Sequence, residues 1–247
     1  MIVIPMAGLS RRFKESGYAL PKYMLEADSK SLFAHSVASF EHYFNQEKFL
    51  FIALDVFGTK KFIETECVKL AIQHYQIIIL DQPTRGQAET VYLGLKNAKI
   101  DPEEDLLIFN IDTFRYGFRW PLEFDLKCID GYLETFIGEG KNWSNVLPTD
   151  KTLQTVKHTA EKQEISKYCC TGLYYWQRSE DFCKIFEDYQ NRDVDQVQGG
   201  EYYIAPMYNS LIDDGKDVRY SVISKEEVTF CGIPREYISF LKEIENE

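Results

Sequence analysis

The sequence predicts an α/β fold: a mostly parallel, Rossmann-like sheet flanked by helices, with a smaller mixed-strand part. Three observations predict it. Short apolar runs alternate with helix-period stretches over residues 1–112, the rhythm of parallel strands joined by right-handed crossovers. That rhythm is replaced by short strand-like pieces from Tyr132 to Trp176. Hydrophobic residues make up 45% and aromatics 15% of the 247 residues, enough for a sizeable core, which excludes a disordered chain.

Taken in order, Ile2–Ile4 reads as a buried strand bounded by Pro5 and Gly8. Ser31 to Phe44 reads as a helix, with Leu32, Ser36, Phe40 and Phe44, or Phe33, Val37 and Phe40, on one face. Phe49–Leu54 is a second strand. A helix from Thr59 to Tyr75 follows, with Phe62, Ile63, Cys67, Leu70 and Ala71 inward. Ile77–Leu80 is a third strand, Gln87–Ala98 a helix on the Ala88, Val91, Leu95, Ala98 stripe, and Leu106–Ile111 a fourth strand.

The pieces Tyr132–Ile137, Val146–Leu147, Leu153–Thr159 and Thr171–Trp176 are punctuated by Gly138, Gly140, Asn142, Pro148 and Asp150. Helices return at Ser179–Arg192, with Ser179 as expected N-cap, and at Tyr202–Asp214, stopped by Gly215. A strand over Val218–Ile223 and a last helix from Pro234, with Tyr237, Ile238, Leu241 and Ile244 inward, finish the chain. With no repeat, low-complexity segment or linker, the expectation is a single domain over 1–247. Its two halves would be 1–125 and 126–247.

Composition narrows the function. The net charge of −11 disfavours nucleic acid as a partner, because phosphate backbones reward a basic face. Apolar runs reach only about six residues against the roughly 20 needed to span a bilayer, so no membrane partner is expected. The opening segment has no basic leader and begins at a strand, which predicts no signal peptide and a cytoplasmic protein. The six cysteines are scattered without a C-x-x-C pair, so buried thiols are expected rather than disulfides or zinc.

Against this acidic background one stretch is locally basic. The turn at Ala7-Gly8 is followed by Arg11, Arg12, Lys14 and Lys22, with Glu15 the one acid among them. A glycine turn after a buried strand, beside clustered cations, suggests a phosphate site. In open parallel sheets ligands lie beyond the carboxyl ends of the strands. The turn after Ile4 and the segment Asn110-Ile-Asp112 are two such ends, expected to face one crevice. A carboxylate there, opposite Arg and Lys, is what Mg²⁺-dependent phosphoryl chemistry requires. The G-x-x-x-x-G-K-[ST] and G-x-G-x-x-G motifs are both absent, which argues against a P-loop and against a nicotinamide or flavin site.

Ile4-Pro-Met-Ala-Gly-Leu-Ser-Arg-Arg-Phe13 followed by Leu20-Pro-Lys22 resembles the opening signature of the sugar nucleotidyltransferase family, A-G-x-G-[ST]-R-[LF] and then P-K. Further segments resemble that family in order: Gln82-Pro through Gly86-Gln-Ala88, Asn110-Ile-Asp112, Thr159-Ala-Glu-Lys162, Thr171-Gly-Leu-Tyr-Tyr175, Gly200-Glu-Tyr-Tyr-Ile204 and Gly232-Ile-Pro234. The resemblance covers most of the chain and implies the nucleotidyltransferase fold, with 1–125 as the nucleotide-binding half and 126–247 as the acceptor-binding half, a nucleoside triphosphate, a small phosphorylated acceptor and magnesium. The wording of segments such as Leu20-Pro-Lys-Tyr-Met24 and Glu201-Tyr-Tyr-Ile-Ala-Pro-Met207 is similar to a capsule-cluster branch of bacterial cytidylyltransferases, which implies CTP as the nucleotide.

The resemblance also implies roles. Arg12 would hold the β- and γ-phosphates with its planar fork, and Lys22 the α-phosphate. Ala7 and Gly8 would offer backbone contacts to base and ribose. Gln82 would read the base edge, and Gly86 and Gln87 would serve the nucleotide from a helix start. Asp112 would hold Mg²⁺. Lys162 and Glu161 would hold the acceptor, with Gly172 permitting close approach and Tyr174 and Glu201 nearby. The stretches Leu173–Trp176 and Tyr202–Ile204 read as core. No histidine is needed as a base, since a phosphate oxygen is already an anionic nucleophile.

Two positions depart from the family pattern. Ser10 stands at the second glycine of the first motif. Phe230 stands where the family often has an aspartate, which would leave Asp112 with water and phosphates alone. Two other readings of the same segments are open: a sugar-1-phosphate nucleotidyltransferase, and a nucleotide-binding relative without turnover.

Overall fold

The computed structural model describes residues 1–192 and 197–246. Its strands are β1 (Ile2–Met6), β2 (Glu26–Ala27), β3 (Lys30–Ser31), β4 (Phe49–Leu54), β5 (Tyr75–Leu80), β6 (Leu106–Phe109), β7 (Thr113–Phe114), β8 (Gly131–Ile137), β9 (Ser144–Asp150), β10 (Thr155–Glu161), β11 (Tyr168–Trp176), β12 (Val218–Ile223) and β13 (Thr229–Phe230). The α-helices are α1 (Arg11–Glu15), α2 (Leu32–Val37), α3 (Thr59–Lys69), α4 (Gln87–Ala98), α5 (Ser179–Tyr189), α6 (Tyr208–Asp213) and α7 (Pro234–Glu245). Among the described residues, no helix is long and apolar enough to cross a membrane.

A nine-stranded sheet in the order β5-β4-β1-β6-β11-β8-β12-β10-β9 carries the fold. The first four strands are parallel, as expected. The expectation of a mostly parallel sheet does not hold beyond them. β11 runs antiparallel to β6 and β8, and β10 antiparallel to β12 and β9, while β12 is again parallel to β8. Connection length accounts for part of this: β9 and β10 follow one another without a helix and pair antiparallel, whereas α-helices precede β4, β5, β6 and β12, which join their neighbours in parallel. The sheet is mixed.

Side chains on the parallel strands alternate between two cores, as the two-residue period of a strand dictates. Val3, Leu50, Ile52 and Ile108 pack with Ala88, Val91 and Leu95 of α4 and with Phe182 and Phe186 of α5. Ile2, Ile4, Phe49, Phe51 and Phe109 face the other way, onto Phe33, Val37 and Phe40 and onto Ile63 and Cys67 of α3.

Several boundaries differ from expectation. β1 runs through Pro5 to Met6, and β6 stops at Phe109. The helix from Ser31 breaks after Val37 into 3₁₀ turns kinked at Phe40, where φ is −109° and ψ is 24°. α3 ends at Lys69, and Ala71, expected inward, is exposed with φ 58° while Ile72 is buried in its place. Ser179 is not the N-cap of α5; Arg178 stands at that position without a side-chain capping bond, and the Ser179 hydroxyl donates to Asp101 O at 2.7 Å. The helix expected from Tyr202 starts as a 3₁₀ turn at Ala205, with Pro206 in its first turn, where a missing N–H costs nothing. In α7, Phe240 rather than Ile238 faces inward. Cys67, Cys169, Cys170 and Cys231 are buried free thiols, but Cys128 is exposed.

Candidate active site

β1 and β6 are adjacent and parallel, so the turns that leave their carboxyl ends emerge side by side. A cleft of about 670 Å³ opens there, a size suited to a small-molecule ligand. Ala7, Gly8, Arg12, Lys22, Gly86, Gln87, Asp112 and Glu201 line it. The two turns expected to share a crevice do so.

Across this cleft, Lys22 Nζ lies 2.5 Å from Asp112 Oδ2, both side chains about four-fifths buried. Arg12 is exposed at the rim. Ser10, in place of the second glycine, keeps a glycine-like backbone, with φ 51° and ψ 38°. Its hydroxyl accepts the Lys22 backbone N–H at 3.2 Å, so the substituted residue ties the glycine turn to the lysine segment. The turn after β13 closes the far side: Cys231 N donates to Asp112 O at 2.7 Å. Phe230 itself packs on Phe136 and Trp143, in an apolar cluster.

Gly232 leaves a gap beside Asp112. A Cβ there would sit 3.0 Å from Asp112 Oδ2 and 3.6 Å from Glu236 Oε2. Glu236 reaches back from the first turn of α7 to accept the N–H groups of Gly232 and Ile233, at 2.8 and 3.2 Å. Burial holds its carboxyl above the usual carboxylate range. Among the described residues, no group of three or more His, Cys, Asp or Glu side chains is arranged to hold a metal ion.

Gly86 opens α4 with φ 151°, and its missing side chain matters first for packing. A Cβ would lie 2.5 Å from Tyr202 N. Tyr202 O also takes the Ala88 N–H at 2.9 Å, so one N–H of the helix start is spent on the protein. Gln82 is exposed and stands outside the cleft lining. Arg85, Thr84 and Thr90 line the cleft instead; Arg85 lies 4.8 Å over the Tyr202 ring and is paired to Glu89.

Of the residues expected to hold the acceptor, Glu201 lines the cleft, whereas Glu161, Lys162, Gly172 and Tyr174 are outside its lining. Glu161 is 4% exposed, and accepts from the Ser144 hydroxyl. Burial raises its pKa above the usual carboxylate range, against the lowering effects of Ser144 and Lys162. Tyr174 is buried, its hydroxyl 3.4 Å from Ser144 Oγ. Lys162 is exposed, yet its Nζ lies 2.6 Å from the hydroxyl of Tyr203, which does line the cleft. Gly172, with φ 98°, borders Asn110 at the cleft floor.

Two residues line the cleft that the sequence did not assign to the site. Tyr203, expected in the core with Tyr202 and Ile204, is half-buried and lines the cleft; the other two are core as expected. Asn110 stands beside Asp112 at the strand end and bonds to Gln87. Arg115 gave no signal at all: it is 7% exposed, its Nε 3.2 Å from both oxygens of the buried Glu134 and its Nη2 3.2 Å from Glu227. Thr171 donates to the same Glu134 at 3.1 Å, which ties the Asp112 segment to β8 and β11. His35 is a core histidine, its pKa lowered by burial, with a 2.8 Å bond to Ala27 O.

No protein-family model matches the chain, and no curated protein matches it. Solved structures do. A nucleoside-diphosphate-sugar pyrophosphorylase from Vibrio cholerae RC9 is 46% identical over 98% of this chain and 100% of its own, with a TM-score of 0.92. The inositol-1-phosphate CTP transferase from T. maritima is 14% identical over 99% of this chain and 95% of its own, with a TM-score of 0.74. A UTP-bound UGPase from Acinetobacter baumannii is 14% identical over 98% and 92%, with a TM-score of 0.66. The last two share the fold.

Proposed function

The chain is a nucleotidyltransferase of the nucleoside-diphosphate-sugar pyrophosphorylase family, and from that premise we propose that it transfers CMP from CTP to phosphorylated L-glutamine. The products are CDP-L-glutamine and pyrophosphate, made in the cytoplasm for phosphoramidate decoration of a capsular polysaccharide. The observation that carries the nucleotidyl-transfer reading is the Lys22–Asp112 pair across one cleft that Arg12, Ala7 and Gly8 also line. The choice of CTP and phosphoglutamine is supported by the sequence resemblance to the capsule cytidylyltransferases.

In this reading an anionic oxygen of the acceptor phosphate attacks the α-phosphorus in line. The new bond joins that oxygen to phosphorus; the bond to the bridging oxygen of the β-phosphate breaks, and pyrophosphate leaves with the electron pair. Lys22 neutralises the α-phosphate oxygens as charge builds on them. Arg12 holds the departing pyrophosphate with a two-pronged fork. No protein base is required.

The site suits magnesium. A carboxylate is the hard oxygen donor Mg²⁺ takes, the Lys22 ammonium already sits as a cation on Asp112, and Gly232 keeps the space beside it open. Asp112 would hold the ion, with phosphates and water completing its shell, and the ion would supply charge neutralisation on the triphosphate. Glu161 and Lys162 serve the acceptor, Lys162 through the cleft-lining Tyr203.

The test is pyrophosphate release by the purified protein across four nucleoside triphosphates with Mg²⁺ and phosphoglutamine. Release with other acceptors but none with phosphoglutamine would overturn the acceptor assignment. A second reading, a sugar-1-phosphate as acceptor, is favoured by the activity named for the Vibrio cholerae relative. A panel of sugar 1-phosphates in the same assay separates the two.

A further inference from the structure

Asn110 stands where three parts of the cleft meet. Its backbone N–H donates to Gly172 O at 3.1 Å, and its carbonyl accepts from Thr113 N at 3.2 Å and Ser36 Oγ at 3.3 Å. The backbone is thus held on three sides. Its side chain lies in the space that Gly172 leaves: a Cβ on Gly172 would come 2.4 Å from Asn110 Nδ2 and 2.7 Å from Cγ. β11 loses its register with β8 between Cys170 and Tyr174, the irregular stretch that carries this glycine. So the strand is distorted at the point where the asparagine amide is accommodated.

The amide is put to use. Asn110 Oδ1 accepts from Nε2 of Gln87, the first residue of α4, and both residues line the cleft. An amide whose nitrogen is tied to a fixed partner has a set orientation. Its carbonyl oxygen can then only accept. We infer that Asn110 is a positioning residue that fixes the Gln87 amide so that Gln87 Oε1 accepts a hydrogen bond from the nucleoside part of the nucleotide.

The group recognised is therefore a hydrogen-bond donor: a ribose hydroxyl or an exocyclic amine of the base. A phosphate oxygen is an acceptor and is excluded from this contact. The inference rests on the cleft being the nucleotide site, as proposed above.

Direct binding of nucleotides, measured by calorimetry without acceptor, tests it. Asn110→Asp keeps an oxygen that can accept from Gln87 Nε2 and is expected to bind CTP close to wild type. Asn110→Leu and Gln87→Leu are each expected to weaken CTP binding about tenfold, the loss of one oriented hydrogen bond. The wild type is expected to discriminate against a nucleotide lacking the recognised donor, and Gln87→Leu to abolish that discrimination. Comparing CTP with its 2′-deoxy and 3′-deoxy forms and with UTP shows which donor is read. If Asn110→Leu does not fold, loss of discrimination in Gln87→Leu still decides the contact, and Asn110→Ala, read for the same loss of discrimination, decides the positioning.

Both leucine variants binding and discriminating like wild type would overturn the inference. A wild type that binds CTP but releases no pyrophosphate with any acceptor would overturn the proposed function and leave the inference to the variants. Failure to bind any nucleoside triphosphate would overturn both.

Discussion

Lys22 Nζ and Asp112 Oδ2 are 2.5 Å apart although 90 positions separate them in the chain. Under the proposed magnesium role of Asp112, the ammonium occupies an oxygen that the ion would use, so lysine and metal would compete for it. Lys22→Ala should therefore raise the affinity of the nucleotide-free protein for Mn²⁺, read by electron paramagnetic resonance. It should also cut turnover about 10²-fold or more, the usual cost of a donor to developing charge. Asp112→Asn should lower both. Unchanged Mn²⁺ binding in Lys22→Ala would show that no competition exists.

Ser10 joins two demands, a left-handed backbone and a hydroxyl on Lys22 N. Ser10→Ala keeps the backbone cost and loses the bond, so it should destabilise by about 1 kcal/mol and raise the KM for nucleotide severalfold. Ser10→Gly relieves about 1 kcal/mol of backbone cost while losing the same bond, so its stability should stay near wild type. Urea titration of both variants checks the order.

Glu161 sets a pH dependence. Its folded pKa is raised above the ordinary 4.5 by burial, so protonation favours the folded state. That contribution is present in full below pH 4.5 and is lost as pH rises through the folded value. Glu161→Gln, neutral at every pH and still able to accept from Ser144, should melt about 2–4 °C above wild type at pH 7, the shift from about 1 kcal/mol. The gain should vanish below pH 4.5. Acceptor KM should rise in the same variant. Equal melting temperatures at neutral pH would contradict the burial argument.

Arg115 and Glu134 form a buried pair, their side chains 9% and 2% exposed. Arg115→Met strands the Glu134 carboxylate and should cost about 3–5 kcal/mol in chemical denaturation. Adding Glu134→Leu should recover much of that loss, because the uncompensated charge is then gone.

Local pattern reached far into this molecule. The four parallel strands and the helices between them were legible because hydrophobic period and turn residues are local signals, and β1 with its basic turn is a continuous stretch. Segment order carried the resemblance that named most of the cleft: Ala7, Gly8, Arg12, Lys22, Gly86, Gln87, Asp112 and Glu201 all line it. Gln82 does not, since its amide chemistry was readable but its direction was not.

Sequence alone determined that a glycine turn with clustered cations would meet a strand-end carboxylate. Tertiary structure alone decided how the second half of the sheet is directed, because strand direction depends on how the chain returns, not on the pattern within a strand. It also decided the pairings of Asn110 with Gln87, Arg115 with Glu134 and Lys162 with Tyr203. Each joins side chains distant in sequence, and their separation is fixed only once the backbone has packed.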